Sequence, residues 1–145
     1  MQKSSLSTLI ELAEKALDDA AKNLGKAIRH KEDAENQLNL LIQYQADYEN
    51  RLQNNALHGV SVSQFANFQA FIGKLDLAID GQKKIIQDAQ YKVEIATKQW
   101  QECEKKRLSF DTLLKKNERL QQAKENKRDQ KQTDESATRS LFYKR

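Results

Sequence analysis

Two apolar seams of near-equal length, each kept in unbroken heptad phase, restrict this chain more than any other feature in it. Steps of four and three lead along the first seam through Leu6, Ile10, Ala13, Leu17, Ala20, Leu24, Ala27, Lys31, Ala34, Leu38, Leu41, Gln45, Tyr48 and Leu52, with only Lys31 and Gln45 polar. The second seam runs through Phe65, Phe68, Ile72, Leu75, Ile79, Gln82, Ile86, Ala89, Val93, Ala96, Trp100, Cys103, Arg107, Phe110 and Leu114, broken only by Gln82 and Arg107. Alternating steps of four and three place one narrow stripe along one side of a helix, and such a stripe is buried only against another of its kind. A short connection between two matching stripes makes them each other's partner. The expected fold is therefore all-α, a long antiparallel two-helix coiled coil.

The connection, Asn54 to Phe65, has the chemistry of a turn. Gly59 can take the left-handed conformation that ends many helices, because it has no Cβ to clash. Ser61 or Ser63 can accept hydrogen bonds from the free amides of the next helix, and Ser61 with Gln64 has capping-box spacing. With the loop centred near Gly59, facing residues have numbers that sum to about 120, which sets Ala34 against Ile86 and Ala27 against Val93. A shift of one heptad would set Lys31 against Gln82 instead, but centres the turn before Gly59. The first register is preferred.

The first helix is expected to begin between Ser4 and Thr8, where Thr8 and Glu11 have capping-box spacing, and to end near Ala56. About 50 residues at 1.5 Å each make a rod of roughly 75 Å. The hairpin is expected over residues 1–120, with helices over 5–56 and 63–120 and a turn over 57–62. Residues 121–145 form a basic helical or disordered tail, with order lost after Thr133. In that tail the seam template continues through Asn117, Gln121, Lys124 and Arg128, which offer nothing apolar to bury. Gly73 and Gly81 fall on the outer side of the second helix, where each costs roughly 1 kcal/mol relative to alanine.

The composition agrees with extended helix rather than a compact globule: proline is absent, aromatics are 7% and charged residues 32%. The net charge of +4 is unevenly placed. Residues 1–114 hold 15 Lys and Arg against 16 Asp and Glu, and residues 115–145 hold 10 against 5. No apolar run approaches the roughly 20 residues that span a bilayer, and MQKSSLSTL lacks the apolar core of a secretory signal. The expected location is the cytoplasm, without direct membrane insertion. Cys103, the single cysteine, lies on the seam and reads as a small buried apolar residue.

Polar seam positions are read as register devices, with Lys31 laying its stem across the groove and its ammonium in water. A second stripe runs beside the seam. Gln37, Leu41, Tyr44 and Tyr48 share one flank of the first helix, and Phe71, Leu75, Ala78 and Gln82 repeat the spacing on the second. Tyr44, Phe71 and Ala78 are flanking positions, which in an isolated pair of helices usually carry charge. An aromatic pair there is a candidate contact surface.

Catalytic and metal chemistry is missing from the pattern. There is no glycine-rich phosphate loop, and His30 and His58 have no second ligand at helical spacing. Carboxylates such as Asp18 and Asp19 lie on exposed helix with no cleft around them. Neither enzyme activity nor a cofactor is expected. The tail's positive residues are interleaved with acids, so nucleic acid is not expected as a partner either.

The stretches LAEKALDDAAKNLG (Leu12 to Gly25), LNLLIQYQADY (Leu38 to Tyr48), NFQAFIGKLDLAI (Asn67 to Ile79) and ENKRDQKQTDE (Glu125 to Glu135) resemble the FliJ family, cytoplasmic components of the bacterial flagellar type III export apparatus. The weight rests on residues off the heptad stripe or specific in type: Tyr44, Gln45 and Tyr48, with Asn67, Phe68, Gln69 and Phe71. The resemblance implies a hairpin similar to the stalk subunit of rotary ATPases, which inserts into the hexameric export ATPase and promotes its assembly and activity. It also implies contact with the cytoplasmic domain of the export gate protein FlhA, escort of the export chaperones for filament-cap and hook-junction proteins, and peripheral association with the inner-membrane export apparatus. The gate-binding set of the family maps here onto Gln37, Leu41, Tyr44, Tyr48, Phe71, Leu75, Ala78 and Gln82. A histidine is usual at the last of these, so Gln82 puts a protonation role there in doubt. The alternative is a structural coiled-coil stalk or adaptor of a virulence type III secretion system.

Overall fold

The computed structural model describes residues 5–143. Helix α1 spans Ser5–Leu57 and helix α2 spans Val62–Tyr143. The fold is all-α, a two-helix hairpin with no strand among the described residues.

Heptad phase predicts burial residue by residue. All fourteen seam positions of α1 are buried or half-buried. The same holds for every seam position of α2 except Phe65, which is 38% exposed. No large side chain is fully buried among the described residues; the core consists of Ala13, Ala20, Ala34, Leu75, Ile79, Ala89 and Ala96. Stability is therefore spread along the seam rather than stored in a few large residues.

The turn closes both helix ends locally. Gly59 has φ of +81°, the left-handed conformation that its missing Cβ permits. The backbone N–H of His58 donates to the Asn55 carbonyl at 3.2 Å, and His58 Nδ1 lies 2.8 Å from the Asn54 carbonyl oxygen. A carbonyl can only accept, so Nδ1 carries the proton, and His58 satisfies one of the orphan carbonyls at the end of α1. At the start of α2, the Ser61 hydroxyl accepts the Gln64 N–H at 3.2 Å, the bond that its spacing predicts. At the amino end α1 runs from Ser5, within the expected range, and Thr8 and Glu11 lie inside the helix rather than at its cap.

Packing divides the chain into two units, Asp18–Gln101 and Met1–Leu17 with Glu102–Arg145. In the first, alanines recur every seven residues at Ala20, Ala27 and Ala34 on α1 and at Ala89 and Ala96 on α2. Small side chains let backbones approach, and Gln82 uses that closeness: its Nε2 donates to the Ala34 carbonyl oxygen at 2.9 Å. Gln45 Nε2 donates to the Asp76 carboxylate across the same seam. These pairs, with Tyr48–Phe68 and Tyr48–Phe71, have numbers that sum to between 116 and 121. The turn-centred register accounts for them better than the one-heptad shift, which needs sums near 113. Lys31, as its long stem allows, turns along its own helix, with Nζ 3.5 Å from Glu35 Oε1.

In the second unit, Ala13 is buried and Cys103 is only half-buried. Cys103 shares a cleft with Leu9, Leu12, Ala13, Ala16 and Lys106, and the small alanines on the facing helix leave its thiol partly uncovered. Arg107 keeps a buried Nε without a hydrogen-bond partner among the described residues. From Lys115 to Tyr143 every residue of α2 is exposed. The helix nevertheless continues past Thr133, where the sequence leads one to expect loss of order. No glycine follows Gly81 and no proline occurs, and local bonds such as Thr133 and Thr138 to the carbonyls of Asp129 and Asp134, both at 2.9 Å, follow the helix.

Two substitutions separate seam from outer face. Ala89 is 1% exposed, and Ala89→Leu should cost about 1–3 kcal/mol by overpacking. Gly81 has open space where a Cβ would stand, and Gly81→Ala should stabilise by about 1 kcal/mol. Urea unfolding followed by circular dichroism at 222 nm reads both.

Candidate functional site

The eight flank residues do not form one exposed surface. Gln37, Tyr44, Phe71 and Ala78 face outward, Leu41, Tyr48 and Gln82 are half-buried, and Leu75 is 8% exposed. Only the first four are exposed enough to meet a partner. Gln82 in particular is committed to the Ala34 carbonyl.

Tyr48 is the centre of the cluster. Its ring lies 4.4 Å from that of Phe71, tilted by 38°, and 6.1 Å from that of Phe68, tilted by 57°. Offset, tilted contacts of this kind are the favoured way for rings to meet. The Arg51 guanidinium stands over the Tyr48 ring, 5.6 Å from its centroid, within cation–π range. Tyr44, one turn earlier on α1, is 54% exposed. Phe71, at 39%, leans on Tyr48 yet still shows an edge to solvent.

Towards the turn the rings open into a groove of about 460 Å³, lined by Tyr48, Asn55, Gln64, Asn67, Phe68 and Phe71. Reasoning from heptads and flanks misses Asn55, Gln64 and Asn67, because polar residues off the seam look like ordinary solvated surface. A signal was nevertheless available. Between Glu49 and Lys74 the only Asp, Glu, Lys or Arg is Arg51, in a chain that is 32% charged. Leu57 and Val62, 83% and 87% exposed, stand in the same charge-free stretch.

The family model described as "Flagellar FliJ protein" matches residues 2–145. The chain belongs to the flagellar FliJ protein family. The flagellar FliJ protein of Salmonella typhi is 36% identical over 143 residues, covering 99% of this chain and 97% of its own. That of Escherichia coli K12 is 35% identical over 140 residues, covering 97% and 95%. Among solved structures, a putative YscO homolog, CT670, from Chlamydia trachomatis is similar over 99% of this chain and 96% of its own, at 15% identity and a TM-score of 0.46. No helix of this FliJ-family chain is long and apolar enough, within the described residues, to cross a membrane.

Different exposure gives the two tyrosines different roles. Tyr48→Ala should lower the thermal midpoint, since it removes both ring contacts and the seat of Arg51. Tyr44→Ala should leave the midpoint nearly unchanged. Melting curves at 222 nm distinguish them.

Proposed function

We propose that this chain, as a FliJ-family component of the flagellar protein export apparatus, works as a non-enzymatic, stalk-like hairpin. It promotes assembly and activity of the hexameric export ATPase and contacts the cytoplasmic domain of the export gate through the flank centred on Tyr44 and Phe71. Escort of export chaperones belongs to the same role. The observation that carries the reading is the aromatic flank itself. On a hairpin whose seam is already filled, Tyr44 is 54% exposed and Phe71, although packed on Tyr48, still shows an edge to solvent; exposed ring surface of this kind is best explained by a partner.

The action is allosteric rather than chemical. A helical hairpin inside a ring favours one arrangement of subunits only by contacts that differ between arrangements. An extended charged helix such as residues 115–143 of α2, with all its side chains in solvent, suits that role because it offers many charge-assisted contacts and has no competing partner of its own. By analogy with rotary stalks, this end enters the ring and the turn faces the gate. Membership of a flagellar family favours the flagellar over the virulence system.

Mixing the protein with purified export ATPase should raise both hexamer formation and the rate of hydrolysis; absence of stimulation overturns the stalk reading. Tyr44→Ala with Phe71→Ala should weaken pull-down of the gate domain and reduce motility while helicity and ATPase stimulation persist. Unchanged gate binding would remove the flank from the proposal.

A further inference from the structure

Residues 113–131 of α2 form a helix with two unlike faces, and nothing in the same chain covers either of them. Leu113, Lys116, Leu120, Lys124, Lys127 and Lys131 follow steps of three and four, which gather them on one side. The acids of the segment, Glu118, Glu125 and Asp129, fall on the opposite side. All six residues of the first face are exposed, Leu120 to 54%. A basic face with an aliphatic residue at its middle is complementary to an acidic surface that also offers aliphatic area.

Such a surface exists on the side of the hairpin turned away from Tyr44 and Phe71. Ile28 and Ile42 stand there at flanking positions of α1, two heptads apart, 39% and 45% exposed. Glu32 and Glu35 lie between them, and Asp76 and Asp80 occupy the matching flank of α2, all four exposed. Glu35 meets the Lys31 ammonium and Asp76 accepts from Gln45, while Glu32 and Asp80 have no hydrogen bond or ion pair among the described residues. With Asp18, Glu49 and Glu94 this side has seven carboxylates over residues 18–101, against the ammonium groups of Lys31 and Lys83. Ile28 to Ile42 and Lys116 to Lys131 each cover roughly 20 Å of helix at 1.5 Å per residue.

We infer that residues 113–131 of one copy dock on the Ile28–Ile42 side of a second copy. Lys116, Lys124, Lys127 and Lys131 meet its carboxylates, and Leu120 lies on its isoleucines. The tail belongs to another molecule because α2 is unbroken from Val62 to Tyr143 and cannot double back onto a flank that α2 itself helps to form. Nucleic acid and anionic lipid are repelled by this acidic side. Single exposed ion pairs contribute little, so four of them around a small aliphatic contact make a weak, reversible association that salt disperses. The contact occupies the helix that enters the ATPase ring on the reading above, so copy and ring compete for it. Self-association measured without ATPase keeps the two readings separate.

Sedimentation equilibrium of the full-length chain over a range of protein concentrations tests this, at ionic strengths from about 0.01 to about 1 M, where the reach of charge shortens from about 30 to about 3 Å. Copies should associate at low salt and separate at high salt. Lys124→Glu with Lys127→Glu should weaken association about tenfold, and Glu32→Lys with Asp80→Lys should do the same. An equimolar mixture of the two reversed proteins should restore it, since each tail then meets a flank of opposite charge. Circular dichroism at 222 nm checks that both variants keep their helices. A monomer at every concentration and salt overturns the inference. Association that survives either reversal, or a mixture that stays monomeric, overturns it as well.

Discussion

Close approach of two helix backbones over alanine is the condition on which this structure depends. Ala20, Ala27 and Ala34 on α1 and Ala89 and Ala96 on α2 recur at heptad spacing, and Ala89 is 1% exposed. Because these side chains end at Cβ, a glutamine on one helix reaches a main-chain carbonyl on the other, as Gln82 does at Ala34. Larger residues at those positions would push the backbones apart and break that bond. The same smallness leaves little area to bury per residue, so cohesion comes from repetition along the seam.

A seam built from repetition has a weakness, since sliding by one heptad restores most of its apolar contacts. The polar interruptions oppose such sliding. Gln82 finds Ala34, and Gln45 finds Asp76, only in one alignment. A half-buried polar group that loses its partner in the wrong register makes that register less stable, which is how polar seam residues specify alignment in coiled coils generally. Arg107 differs, because its buried Nε has no partner among the described residues and contributes no such specificity.

The tip obeys other rules. Away from the turn, charged residues are spread along both helices. Between Glu49 and Lys74 charge gives way to rings and carboxamides, with Arg51 as the exception. The turn's own needs do not require this. Gly59 and Ser61 close the helix ends with local bonds, and those bonds are indifferent to whether Asn67 or Phe71 lies nearby. Residues that neither fill the seam nor shape the turn are the ones free to serve recognition, and here they are gathered in one place.

The sequence alone determined the heptad phase, and with it the two helices, the identity of most half-buried or buried residues, the left-handed Gly59 and a serine cap at Ser61 or Ser63. Each of these follows from the period of 3.6 residues or from the conformational needs of a few neighbours, so no distant contact has to be known. The candidate flank was legible for the same reason, as a departure from that period. What only the tertiary structure decided is how side chains from different helices share space. Tyr48 meets Phe71 and Phe68, Gln82 turns inward to Ala34, Arg51 settles over a ring, and Asn55 and Asn67 come to line one groove. The turn fixes the approximate alignment, but which side chains meet across it depends on the spacing of two helices and on the rotamers that packing selects.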